Sequence, residues 1–413
     1  MKKITLTEKQ KMWFLAVGFF LAMAVSIYFF SDGFMRMGMK DPGYYQIETV
    51  EDASGYAQGY SFVYYLDGDS NTIKATGQKL KSIYSTKLVR MYKLLDSQNT
   101  YDGFQNLATL SASLGQEVTI NRELYEVLSD AWAKTQEGQG FNLFAGALNA
   151  AWNEILVLTE PEEFDPAMDP QMESRLAALA RMTADLSHFD LELKADGESY
   201  TCKVTVSQEY LDYLEENEHS KTILDLGMLK DGYILDQLRD AIEAEGYCNG
   251  YLTAKSGMIL NLSQHTGAAN YQIYSLSDGA SVKSAVLPAR ANSAYCLARS
   301  FALTDGELCY YSVTAEGKTY DRHPWFAADS SFPGVLTMAC AVADDGAPVA
   351  AAYACVALFN CPNQAAVASF ASGAALQIAC AMSGEAGVLY ANASCAENIH
   401  MLEGQMISFD QPS

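Results

Sequence analysis

Met12 to Phe30 (MWFLAVGFFLAMAVSIYFF) runs for 19 residues without a charged side chain. As a helix it would be about 28 Å long at about 1.5 Å per residue, close to the hydrocarbon thickness of a bilayer. Lys2, Lys3, Lys9 and Lys11 precede it, with Glu8 the one opposing acid. The positive-inside rule therefore expects a cytoplasmic tail at 1–11, a single transmembrane anchor at 12–30, and everything after Ser31 outside the cytoplasm. A cleaved signal peptide is the competing reading. Its apolar core is usually shorter, about 7–15 residues, and ends at a small-x-small site. Here Ala22-Met23-Ala24 lies inside the apolar run, and Ile27, Tyr28, Phe29 and Phe30 follow. No second run of this length occurs, so the remainder is expected to be a soluble ectodomain held at the cell membrane.

Charge narrows the partners. Lys+Arg number 27 against 50 Asp+Glu, a formal net charge of −23. A chain this acidic has no electrostatic footprint for nucleic acid, which needs clustered cations against phosphate. It also argues against docking on anionic lipid through a basic face. With 49% apolar residues the chain has enough material for a real core. The nine cysteines all lie between Cys202 and Cys395, with no C-x-x-C pair and no Cys/His cluster at zinc spacing. Small buried thiols are the expectation, with one or two disulfides open to a domain outside the membrane.

Past a juxtamembrane linker at 31–56, the ectodomain at 57–413 alternates helical and strand patterns. Leu80, Ile83/Tyr84, Leu88, Met91 and Leu94/Leu95 recur at helical spacing. Leu124, Val127/Leu128, Ala131 and Thr135 do so again, behind Asn121 as N-cap. A third helix carries Leu176, Leu179, Met182 and Leu186 after Pro170, read as a breaker. Phe189, Leu191 and Leu193 alternate with polar residues, Asp196-Gly197 turns the chain, and Tyr200, Cys202, Val204 and Val206 return. Glu316-Gly317 centres a second hairpin, and Ile234/Leu235, Leu238 and Ala241/Ile242 mark an amphipathic helix stopped by Gly246. The strands need the earlier helices to cover one face, so one continuous α+β domain is expected.

No P-loop, G-x-G-x-x-G, G-x-S-x-G or H-E-x-x-H pattern is present. His188, His219, His265, His323 and His400 are scattered, as surface or structural histidines are. Read from its residues alone, the chain is a membrane-anchored α+β domain.

Several stretches in fixed order resemble the FAD:protein FMN transferase (ApbE-like) family. Leu94-Leu95-Asp96 through Leu110-Ser111 is similar to the family's entry segment, with Tyr101 as a flavin-contacting aromatic. Val118–Trp132, Gly140-Phe141-Asn142-Leu143-Phe144 and Trp152 resemble the helix and "GaFDp" that follow it. Leu224-Asp225-Leu226-Gly227-Met228-Leu229-Lys230-Asp231-Gly232-Tyr233 is similar to "iDLGgIAKGY". Tyr251 to Gly257 resembles the next strand and turn, Gly317 to Pro324 the "dGk.yhHiidP" segment, and Ala350 to Phe359 the "aDAlsTAlf" helix.

The resemblance implies an antiparallel sheet with covering helices (a T-fold-type architecture). It implies a family chemistry in which Mg²⁺-assisted cleavage of FAD attaches FMN to Thr or Ser of an extracytoplasmic redox-complex subunit. It carries cofactor contacts onto Tyr101, Phe141, Asn142, Asp225, Gly227, Lys230, Asp231, Tyr233 and Gly257, with Phe144 as a further aromatic, and the catalytic position onto Arg322 or its neighbour His323. The departures fall on the chemistry. The metal-holding Asp and Thr positions are Ala352 and Val356, neither of which offers an oxygen to a hard cation. Asp231 stands at the lysine position with Lys230 one place early, Met228 at the second glycine, and Asn142 at the Asp of "FDp". Asp329, Asp344 and Asp345 are the acids near enough in sequence to substitute. The expectation is a flavin-handling protein with weak or lost transfer. The alternative is a non-catalytic module that binds flavin or a partner.

Overall fold

The computed structural model of the protein describes residues 41–158, 160–264, 270–277, 279–304, 306–325 and 335–409. The expected tail and anchor at 1–30, His265 and Asp329 lie outside these residues. Among the described residues, no helix is long and apolar enough to cross a membrane.

A nine-stranded sheet forms the frame. Its order is Gly43–Gln46, Tyr60–Leu66, Gly250–Ala254, Met258–Asn261, Ala294–Arg299, Leu336–Ala343, Gln377–Met382, Val388–Ala391 and Gln405–Ser408. Neighbours run antiparallel except the last pair, which is parallel. The expected linker at 31–56 joins this frame from Gly43 onward, where Gly43 pairs with Leu66 and the following Ile47 is buried.

Every residue of the three strands Ala294–Arg299, Leu336–Ala343 and Gln377–Met382 is buried. Their side chains alternate between two cores, as period-two geometry requires. Ala294, Cys296, Ala298, Ala339 and Ala341 face the main core, which includes residues of the helices Ser70–Leu94, Leu229–Ala244 and Pro348–Phe359. Tyr295, Leu297, Met338, Cys340 and Val342 face a second core under the hairpin Asn270–Ser277/Ala280–Pro288. Small Ala and Cys side chains on the helical side let Pro348–Phe359 lie close to the sheet, where Cys355 Sγ is 3.6 Å from the carbonyls of Cys296 and Ala339. All nine cysteines are free thiols, and six of them are buried.

Leu107–Ala112 and Arg122–Glu137 pack against a three-stranded sheet of Val118–Ile120, Ser199–Val206 and Phe189–Asp196. Asn121 caps Arg122–Glu137 through Leu124 N–H, as its position before the apolar stripe predicts. Phe189–Asp196 and Ser199–Val206 form the first expected hairpin, and Tyr311–Ala315 with Lys318–Arg322 form the second. In the latter both turn residues, Glu316 and Gly317, have positive φ, which suits the twist of a two-residue hairpin. Pro170 does not break a helix. It opens Pro170–Ala184 behind the cap Asp169, a position that needs no N–H donor.

Candidate functional site

Two adjoining cavities lie where the motif stretches converge. The larger, about 510 Å³, opens between the loop Gly138–Asn142 and the chain following Pro348–Phe359, and its walls include Phe141, Asn360, Cys361 and Phe370. The smaller, about 40 Å³, is enclosed by Gly140, Phe141, Asn142, Asn149, Gly227, Met228, Pro324 and Val356, together with Ala145. Residues 140 and 356 are far apart in sequence, and the fold gathers them because the Gly138–Asn142 loop rests on the end of Pro348–Phe359. Gly140 makes that approach (φ +91°), since a Cβ there would stand 2.8 Å from Asn360 Cβ. The Asn360 amide donates to the Val356 carbonyl at 2.7 Å.

The polar groups beside the small cavity are held from within. Asn142 Nδ2 donates to Thr183 O at 2.7 Å while its Oδ1 accepts Phe144 N–H at 2.9 Å, so this side chain ties its loop to the Pro170–Ala184 helix. Asp225 accepts from Ser97 Oγ, from Asn149 Nδ2 at 3.0 Å and from Gly227 N–H at 2.6 Å. Gly227 and Met228 lead into Leu229–Ala244, whose first turn carries Lys230 and Asp231. Lys230 Nζ lies 4.4 Å from the Tyr92 ring centroid, a cation–π contact. Asp231 accepts a hydrogen bond from the Tyr60 hydroxyl. Burial first, and the Asp231 carboxylate second, hold the Tyr60 hydroxyl far above the ordinary phenol range, so it stays protonated and donating.

Asp96 organises the next segment. It accepts from Tyr101 OH at 2.6 Å, from Gln98 N–H at 2.8 Å and from Asn99. Burial raises its carboxyl, but these donors outweigh burial and leave it below the usual carboxylate range. Lys93 Nζ sits over Tyr101, Tyr56 and Phe104 at 5.2, 5.5 and 5.8 Å. Tyr101 lines neither cavity, and a lysine already lies over its ring.

The other expected site residues lie elsewhere. Tyr233 is buried with its hydroxyl on Asp130 at 2.6 Å, and Phe144 stacks on Phe189 at 4.6 Å within the core. Gly257 makes the turn between Gly250–Ala254 and Met258–Asn261, where its φ of +92° and the Leu297 carbonyl, 2.7 Å from any Cβ, admit no side chain. Arg322 forms a bidentate pair with Asp165, Nε and Nη2 each at 2.8 Å, with side-chain exposures of only 5% and 0%. His323 Nδ1 accepts Trp325 N–H at 3.1 Å, and its ring meets Phe359 edge-on. Burial, with the Arg322 charge second, pushes its pKa down to about 3, so the imidazole is neutral at pH 7.

The residues present do not fit a magnesium ion. Val356 presents only methyl groups to the small cavity, and Ala352, one turn earlier on the same helix face, is buried without an oxygen. Among the described residues, no cluster of three His, Cys, Asp or Glu side chains could hold a metal. Asp344 is bound by Gln377 at 2.9 Å, and Asp345 accepts Ala347 N–H at 3.2 Å. Neither lines either cavity. Sequence reasoning missed Tyr60, Ser97, Asn149 and Asn360. Each acts through a partner distant in sequence or through a backbone approach that no motif marks.

The profile of the ApbE family matches residues 68–273. Among solved structures, the flavin transferase ApbE from Vibrio cholerae superposes with a TM-score of 0.55 at 11% identity, covering 87% of this chain and 99% of that one. The ApbE protein of Thermotoga maritima gives 0.58 at 13% identity over 86% and 99%. The apo flavinyl transferase ApbE of Pseudomonas stutzeri gives 0.50 at 12% identity over 89% and 96%. No curated protein matches the sequence. At such identities the superpositions establish the fold, an α+β architecture rich in antiparallel strands, and the profile establishes the lineage. By profile and fold together, the chain belongs to the ApbE family of flavin transferases.

Proposed function

We infer that this protein is a membrane-anchored, extracytoplasmic member of the family that holds a flavin beside a partner protein, a subunit of a redox complex, and has lost metal-dependent FMN transfer. One observation carries the reading: apolar Val356 closes the small cavity at the position where the family pattern places a metal-holding threonine. Metal polarisation of a phosphoryl oxygen supplies several kcal/mol, so its loss slows FAD cleavage by about 10²–10⁴-fold. Flavin retention is supported by the apolar and aromatic walls, Phe141 and Phe370, and by neutral amides such as Asn360 around a cavity of ordinary ligand size. The anchor is supported by the uncharged run Met12–Phe30 behind its lysines.

The test is purified full-length protein in detergent with FAD and Mg²⁺, Mn²⁺ or Ca²⁺. The expected result is AMP no higher than in protein-free controls, and metal-dependent AMP release would overturn the reading. Topology is checked separately. Protease added to intact cells should digest the domain and spare the Lys2–Lys11 tail, whereas full protection would reverse the orientation.

A further inference from the structure

We propose that the site takes a flavin without phosphate, riboflavin being the simplest case, in preference to FMN or FAD. This rests on the reading that the two cavities hold a flavin, and it adds which flavin.

The first ground is the lining. Among the described residues, neither cavity has an Asp, Glu, Lys, Arg or His side chain in its wall. Gln139, Asn360 and Ser369 supply neutral polar side chains to the larger one, and Phe141 and Phe370 supply apolar faces. Such a wall suits a fused ring system with uncharged carbonyl and hydroxyl groups. A phosphate instead needs cations or free backbone N–H groups to replace its water.

The second ground is that several cations on the segments around the cavities are already engaged. Arg322, beside the cavity residue Pro324, is held by Asp165. Lys134, beside Thr135, binds Asp130 at 2.6 Å. Lys230 lies over Tyr92, and Lys93 lies among Tyr56, Tyr101 and Phe104.

The third ground is the start of Leu229–Ala244, which follows the cavity residues Gly227 and Met228. A helix N-terminus ordinarily attracts phosphate. Here the chain's own carboxylates already occupy that role. Asp225 takes Gly227 N–H, and Asp231 adds a negative charge in the first turn. Leu229 N–H and Lys230 N–H are turned back onto Leu226 O and Gly227 O at 3.0 and 3.3 Å. Among the described residues, Asp96, Asp225 and Asp231 have neutral hydrogen-bond donors and no ion-pair partner. A pyrophosphate brought to this corner would meet like charge, in a protein of net charge −23.

The experiment is a fluorescence titration of the full-length protein in detergent with riboflavin, FMN and FAD, at low and at physiological salt. Riboflavin should bind at least tenfold more tightly than FAD, about 1.4 kcal/mol. The gap should widen at low salt, where repulsion is less screened. Asp231→Lys should narrow it by tightening FAD rather than weakening riboflavin. Asp231→Asn reads the same charge with the smaller change, should the lysine variant fail to fold. FAD binding as tightly as riboflavin would overturn the proposal and leave the flavin reading standing. Absence of binding by all three would overturn the flavin reading, and this inference with it.

Discussion

Arg322→Ala is expected to cost about 3–5 kcal/mol of folding stability, the range for removing one partner of a buried pair. The guanidinium is the bidentate partner of Asp165, and Tyr311 OH adds a third hydrogen bond to the same carboxylate at 2.8 Å. Without Arg322 that carboxylate stays buried with too few donors. Chemical denaturation should show the midpoint falling with little change in slope. A catalytic arginine would behave differently, since its removal would leave the midpoint in place. The pair also sets an acid limit. Burial alone would raise Asp165, but the Arg322 hydrogen bonds and Ala167 N–H outweigh burial and leave its pKa below the ordinary value. A depressed carboxyl contributes stability above its unfolded pKa, about 3.9, and loses it as pH falls through the folded value. Wild-type protein should therefore weaken below about pH 4, and its stability advantage over Arg322→Ala should shrink there, because protonating the unpaired Asp165 removes the buried charge that destabilises the variant.

Ala352→Asp combined with Val356→Thr should turn the protein into a divalent-metal binder. Both positions are buried on one face of Pro348–Phe359, at 0% and 5% exposure. In chelator the new carboxylate has no cation, so the variant should melt a few °C below wild type, as a loss of 1–2 kcal/mol does in a domain of this size. Millimolar Mg²⁺ should restore the loss, because a ligand that binds only the folded state stabilises it. Wild-type melting should not respond to Mg²⁺. A double variant indifferent to Mg²⁺ would mean that the shell around these two positions has gone as well.

The elements legible in the sequence were those with one wet face. Leu80, Tyr84, Leu88 and Met91 form a single buried stripe on Ser70–Leu94, and Phe189, Leu191, Cys202 and Val204 alternate with exposed or half-buried neighbours. The central strands were not legible. LTMACAVA and QIACAM are buried on both faces, so no alternation marks them, and their Ala and Cys content suggests neither strand nor turn. Pro170 was ambiguous because the same residue ends one helix or opens the next. Only the Asp169 cap, with Gln171 N–H at 2.9 Å, decides between the two.

The site was legible as an order of motifs and opaque as geometry. Phe141 and Phe144 are three places apart in the same motif, yet one lines both cavities and the other stacks in the core. Arg322 and His323 matched a catalytic position by spacing. The partner that fixes Arg322 lies 157 residues away, in the chain just before Pro170–Ala184. Long-range pairing of that kind has no local signature.

Metal binding tests most directly the proposal that Ala352 and Val356 stand where the family pattern places metal-holding residues. Micromolar Mn²⁺ can be titrated into full-length wild-type protein and the Ala352→Asp/Val356→Thr variant at physiological ionic strength, with free Mn²⁺ followed by electron paramagnetic resonance. The account predicts that wild type leaves the free Mn²⁺ signal unchanged while the variant removes about one equivalent. Stoichiometric Mn²⁺ uptake by wild type, abolished by a bulkier residue at Val356, would contradict it.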